Sequence, residues 1–279
     1  MKISTKSLTA FFGLFLVMSM ALSSTAYAIQ NGQPDEDAHP YVCWVVTWDG
    51  TSPFVYLGTG SLIAPDVVLT AGHVTNDAGG ASIVKVWVSF SPIASWPLPE
   101  FGGTGNDWIN ASEWHTHPDY AIGASPTLKD WITHDVGLVI LDETVILSEY
   151  AVLPDPGFVD TLPMTTDLDL VGYGVQYQVR GGGPPFWWWI DFGYRYNATA
   201  QLIASKDALS DDFFRTTANP AKGKGGTCFG DSGGPILLAD TNTVLGVCSW
   251  GTNGNCAGLG YQQRIDTNVI LDWIDGFMP

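Results

Sequence analysis

The feature that most constrains this chain is its punctuation. From Ile29 onward, short runs rich in Val, Ile, Leu, Thr, Trp and Tyr alternate with Gly, Pro, Asn and Asp breaks. Examples are YVCWVVTW (41–48), GSLIAPDVVLTAGH (60–73), SIVKVWVSF (82–90), VGLVIL (136–141), DLDLVGYGV (167–175), FRTT (214–217) and VLGVCSW (244–250). Runs of this length and spacing predict an all-β barrel or sandwich and argue against alternating β/α units. One late segment differs. In DTNVILDWIDGFM (266–278), Val269, Ile270, Trp273, Ile274 and Phe277 recur at helical spacing behind Asp266 and Thr267 as N-cap candidates, which predicts a short C-terminal helix lying on the barrel.

The 279 residues suffice for one large domain or two small ones. Residues 1–28 read as a signal peptide: Lys2 and Lys6, an apolar run from Leu8 to Leu22, and Ala26 and Ala28 in an A-x-A arrangement. That run falls short of the ~20 apolar residues a bilayer span needs, and no later segment reaches that length. The expected location is therefore extracellular or periplasmic, with no membrane span. Loss of the two lysines takes the formal charge from −17 to −19. Nucleic acid is excluded as a partner on this ground, because binding it requires clustered Lys and Arg. The Pro-rich stretch 146–159 reads as a linker between halves 29–145 and 160–279. RGGGPPFWWWIDFGY (180–194), with Trp187 to Trp189, reads as a long surface loop folded onto its own aromatics. His115 and His117 have no acidic partner set that suggests a metal and are expected on the surface; no metal or organic cofactor is expected.

The chemistry concentrates in GTCFGDSGGP (226–235), where Ser232 follows Asp231 between glycines. A serine hydroxyl is a poor nucleophile until a base takes its proton, so a histidine is required. In α/β-hydrolases that histidine follows the serine in the chain, but here the last one is His134. The opposite order is intact: His73 in VLTAGHV, Asp135 in THDVGLVIL, then Ser232.

These three contexts resemble the TAAHC, DIAL and GDSGGP motifs of the chymotrypsin-like serine proteases, and Ser249-Trp250-Gly251, GSLI, HPDY and the terminal helix extend the resemblance from Ile29 to Phe277. The resemblance implies two six-stranded antiparallel β-barrels with a C-terminal helix, His73 and Asp135 on the first barrel and Ser232 on the second. It implies a His73, Asp135, Ser232 triad acting on polypeptide substrates, an oxyanion hole from the N–H groups of Gly230 and Ser232, and a hydrogen bond from Ser249 to the buried acid. It also implies an ion pair between Asp231 and a new α-amino group at Ile29. IQNG resembles the family's IVGG start, departing from it at Gln30 and Asn31. Because Ala28 precedes Ile29, signal peptidase itself is expected to create that amino terminus.

By the same resemblance the substrate side-chain pocket involves Gly226, Thr227, Ser249, Trp250 and Gly251, with either Leu259 or Gly260 on its third wall. A glycine where trypsins carry aspartate implies an apolar preference at P1, with none for Arg or Lys. Cys228 and Cys256 fall where many relatives have a bridge. Cys43 and Cys248 are then either paired or both thiols, and the bridge beside the histidine is absent, since Gly58 and Val74 stand there. Two other readings stay open: a binding protein on a protease scaffold, and an esterase of the same fold. The expected oligomeric state is a monomer.

Overall fold

The computed structural model describes residues 29, 31–52, 55–76, 82–123, 132–175, 177–179, 186–188, 193–206, 210–219, 223–252 and 256–279. The expected leader, 1–28, and Trp189 lie outside the described residues.

Six strands form a first closed barrel: β1 (Val42–Trp48), β2 (Tyr56–Ala64), β3 (Val67–Thr70), β4 (Lys85–Ser89), β5 (Ile109–Thr116) and β6 (Gly137–Leu141). All its pairings are antiparallel, and its ring order is β1-β2-β3-β6-β5-β4. A second ring is built from β7 (Asp167–Gly172), β8 (Tyr196–Ala204), β9 (Phe213–Ala218), β10 (Pro235–Leu238), β11 (Val244–Gly251) and β12 (Gly258–Arg264). It closes as β7-β8-β9-β12-β11-β10, so both halves share one connectivity. Closure leaves neither ring with an open edge. Val42 to Thr47 is buried at every position rather than at alternate ones. A strand covered on both faces needs no polar side.

The connection between rings is pinned to both. Ala151 N–H donates to Leu62 O at 2.9 Å in the first barrel, while Val152 N–H donates to Asn242 O at 2.8 Å and Val152 O accepts from Val244 N–H at 2.9 Å in the second. A one-turn helix follows at Phe158–Thr161. The N-terminal segment is held by a buried ion pair, Arg195 Nε to Asp35 at 2.7 Å, with both side chains fully buried. Arg195 spends its remaining donors on the carbonyls of Glu36, Val42 and Phe90 at 2.7–3.0 Å and on the Tyr173 hydroxyl at 3.3 Å. Gln33–Pro34 pairs with β8 beside this clamp, and Ile29 is fully buried in the core of the second barrel with Leu170, Ile236 and Cys248.

The C-terminal helix spans Asn268–Asp275 after Thr267 as N-cap. Ile270 and Ile274 are buried in the core that the first barrel builds, so the end of the chain returns to cover its beginning. Val269 is 53% exposed, which removes it from the apolar face expected of it. The same packing corrects the expectation for His117. It is buried at 3% exposure, stacked on His134 and edge-on to Trp273, both with ring centroids at 5.0 Å. His115 stays partly exposed and pairs with Glu113 at 2.9 Å. The tryptophan-rich stretch is not a plain loop: Tyr177–Val179 and Phe186–Trp188 pair as an antiparallel hairpin.

Cys228 and Cys256 are disulfide-bonded. Closing that separation of 28 residues contributes about 3 to 4 kcal/mol in the chain-entropy model. Cys43 and Cys248 are both buried thiols, which settles the open alternative.

Candidate active site

The site begins with a carboxylate that has no exposure at all. Asp135 lies in the turn just before β6, and its Oδ1 accepts the His73 N–H at 2.8 Å. The His73 ring nitrogen Nδ1 approaches Oδ2 at 2.8 Å and Oδ1 at 3.1 Å. Ser249, from β11 of the other barrel, donates its hydroxyl to Oδ2. His73 is carried by a single helical turn, Gly72–Thr75, that sits tight on the strand below. Gly72 is required there: a Cβ on it would lie 3.1 Å from both the N and the O of Val136 and 2.9 Å from the Tyr120 ring. AGH thus encodes a close approach as much as an imidazole.

Burial alone would raise the pKa of Asp135, but the His73 charge and the hydrogen bonds from His73 and Ser249 outweigh it and hold the carboxyl below its ordinary range. For His73, burial works downward, while the Asp135 charge and hydrogen bond work upward and win. With Nδ1 committed to Asp135, Nε2 has no partner among the described residues, and the side chain keeps 27% exposure.

The serine loop is docked on the first barrel beside this histidine. Thr59 of β2 donates its N–H to Ser232 O at 2.7 Å and its hydroxyl to Gly230 O at 2.9 Å, and accepts from Tyr173 N–H at 3.1 Å. Gly233 has φ +81°, and a Cβ on it would lie 2.0 Å from Thr70 Oγ1 and 2.6 Å from the N of Ala71, two residues before His73. A Cβ on Gly58 would meet Val74 at 2.9 Å and Ser232 O at 3.1 Å. Glycine at these positions lets the loop bearing Ser232 lie directly against the segment bearing His73. The N–H groups of Gly230 and Ser232 donate to nothing among the described residues.

Asp231 points the other way, into the second barrel. It is fully buried, and its two oxygens accept the N–H groups of Gly174 and Cys228, each at 2.8 Å. Burial pushes its carboxyl up to about 7, against the pull of those two bonds.

Beside Ser232 opens a cleft of about 350 Å³ lined by Thr227, Cys228, Phe229, Cys248, Ser249, Trp250, Gly251 and Cys256. None of the described lining side chains carries a charge. Trp250 is stacked on Tyr261 at 3.9 Å, which fixes one wall. Gly226 is not among the lining residues; a Cβ on it would lie 2.5 Å from the Ala218 side chain. Neither Leu259 nor Gly260 lines the cleft; a Cβ on Gly260 would lie 2.5 Å from Nε2 of the buried Gln262. No cluster of three or more metal-ligating side chains occurs among the described residues.

Two contributors escaped the sequence reading. Thr59 gives no local signal, because its partners lie 114 to 173 positions away. Gln263 Oε1 accepts the Asp135 N–H at 2.8 Å; its one sequence trace is that it is the second of two consecutive amides, Gln262 and Gln263, in a strand where both prove fully buried.

A family model described as Trypsin matches residues 29–274. The chain belongs to the trypsin family. By that membership it is a chymotrypsin-like serine endopeptidase. Serine protease 1 of Drosophila melanogaster is 25% identical over 264 residues, covering 88% of this chain and 84% of that protein. A trypsin of Saccharopolyspora erythraea is 28% identical over 221 residues, covering 76% of this chain and 82% of that one. In fold, this trypsin-family chain is similar to HL collagenase, with a TM-score of 0.65 at 19% identity over 88% of this chain and 97% of the other.

The electrostatics give a direct test. Titration of His73 followed by NMR should place its pKa above the ordinary imidazole value, and Asp135→Asn should drop it below that value, because burial then acts alone. An unchanged titration in Asp135→Asn would contradict the assignment of the shift.

Proposed function

We propose that this trypsin-family chain is a secreted endopeptidase that cuts after apolar residues, using Ser232 as nucleophile, His73 as general base and Asp135 as the acid that orients it. The observation that carries the reading is the buried Asp135–His73 pair, which leaves Nε2 without a partner among the described residues while the Ser232 loop docks on the segment that bears His73. Ser232 Oγ attacks the peptide carbonyl as Nε2 takes its proton; the same proton is then given to the leaving amine. Asp135, ionised throughout, holds the tautomer with hydrogen on Nδ1 and stabilises the imidazolium. The idle N–H groups of Gly230 and Ser232 are suited to receive the developing oxyanion, where one missing donor costs about 10²–10³ in rate. The uncharged cleft lining offers nothing to balance an Arg or Lys side chain and matches an apolar P1.

Asp231 completes the proposal. Among the described residues this buried carboxyl has two N–H partners and no counter-charge, and the α-amino group of a chain beginning at Ile29 would supply one. Ile29 is already buried in the adjoining core, and the Asp35–Arg195 clamp fixes the segment that follows it. Cleavage after Ala28 would create that amino group, so maturation and activation are one event.

A panel of chromogenic peptides differing only at P1 tests the activity: kcat/KM is expected to be highest for Phe, Tyr or Leu and to fall by about 10³-fold or more in Ser232→Ala. Fastest cleavage after Arg refutes the P1 assignment, and full activity in Ser232→Ala refutes the nucleophile.

Stability against pH tests the Ile29 pair. In a chain that retains residues before Ile29, the Asp231 pKa of about 7 exceeds its unfolded value of about 4. The native state then binds more protons than the unfolded state across that window, so stability falls as pH rises from about 4 to 7, by on the order of 4 kcal/mol. In a chain beginning at Ile29 the ammonium pulls that pKa down and the loss disappears, until the amine itself deprotonates near pH ~8 or above. Urea melts of both forms should show a gap that widens from pH 4 to pH 7; parallel curves would reject the pair.

A further inference from the structure

We infer that Gln263 is a positioning residue for Asp135, acting from the second barrel on the acid of the first; the inference rests on the triad reading above. Asp135 is the middle residue of a tight turn in which Val136 N–H donates to His134 O at 2.7 Å, and β6 begins only at Gly137. The turn directs the Asp135 N–H away from the ladder into fully buried surroundings, where an unmet donor is costly. Gln263 Oε1 meets it at 2.8 Å.

The Gln263 amide has one workable orientation. Its Nε2 donates to Asp212 O at 3.0 Å and to Arg264 O at 3.2 Å, so a flipped amide would set donor against donor and oxygen against oxygen. Its backbone is fixed in β12, opposite Val247 of β11 and Phe213 of β9. Ser249, also on β11, holds the carboxylate of the same aspartate. Both ends of Asp135 are therefore held by the second barrel, the main chain by Gln263 and the side chain by Ser249.

The turn needs this hold. His134, immediately before Asp135, sits at φ +49°, a conformation that costs energy for a residue with a side chain. Without an acceptor for the Asp135 N–H, relaxing His134 toward ordinary backbone angles rotates the acid away from Nδ1 of His73. Errors of about 1 Å in such geometry cost about 10²-fold in rate.

Three variants of the mature enzyme test this. Gln263→Met removes the acceptor at nearly constant volume. It is expected to lower kcat about 10- to 100-fold with KM within about twofold, and to move upfield the low-field proton resonance of His73 Nδ1–H in the protonated imidazole. Gln263→Glu, protonated so that its hydroxyl donates to the Asp212 or Arg264 carbonyl, keeps an acceptor at the same reach and is expected to hold kcat within about fivefold of wild type. Gln263→Asn keeps a buried amide one methylene short; it should lose kcat as Met does, and serves as the test if the Met variant does not fold. Wild-type kcat with an unmoved resonance in the Met or Asn variant overturns the inference, as does an equal loss in Glu and Met. Ser232→Ala, assayed alongside, separates the two claims. If it stays active, the triad reading fails and takes this inference with it; if it is inactive while Gln263→Met works normally, only the positioning role falls.

Discussion

One buried negative charge organises this molecule. Removing the Asp135 carboxylate from water carries a penalty of several kcal/mol that only good partners offset. Those partners come from different places: the N–H and ring of His73 from a helical turn on the first barrel, the Ser249 hydroxyl from the second. Neither barrel alone satisfies the charge, so the two must dock for it to be buried ionised. The same docking brings Thr59 of β2 against the loop of Ser232, and Gly233 against Ala71. The catalytic proposal is thus a by-product of how two similar rings close over a shared polar seam.

The second buried carboxylate has the opposite character. Asp135 is paired and held below the usual carboxyl range, whereas Asp231, the residue before Ser232, has two backbone donors among the described residues and is pushed up to about 7. In the proposed activation the two divide the work: one is tuned to remain charged, and the other takes its counter-charge from the amino group of a chain beginning at Ile29, a residue buried in the core of the second barrel.

Much of this was legible from the residues. Short runs between breaks pointed to all-β structure, the order of His73, Asp135 and Ser232 to a chymotrypsin-like fold, and helical spacing after Thr267 to the terminal helix, because each is written locally. What escaped depended on distant partners. Thr59, Arg195 and Gln263 act on atoms more than one hundred positions away, and beyond the paired amides at Gln262 and Gln263 nothing beside them in the chain announces it. His117 was misplaced for the same reason: its burial is supplied by Trp273, from the far end of the sequence. Leu259 and Gly260, the two candidates for a third wall, both lie off the cleft lining, because strand pairing sets Gly260 opposite Gly251 with the Gln262 amide packed against it.

In the proposed triad the Ser232 hydroxyl is made nucleophilic by the partly exposed imidazole of His73. The most direct measurement is the rate of covalent labelling by a fluorophosphonate as a function of pH, with the adduct located by peptide mass mapping. A single adduct on Ser232, formed at a rate that rises through the ionisation of His73 and vanishes in His73→Ala, is the predicted result. An adduct on another residue, or labelling of Ser232 at an undiminished rate without His73, would contradict it.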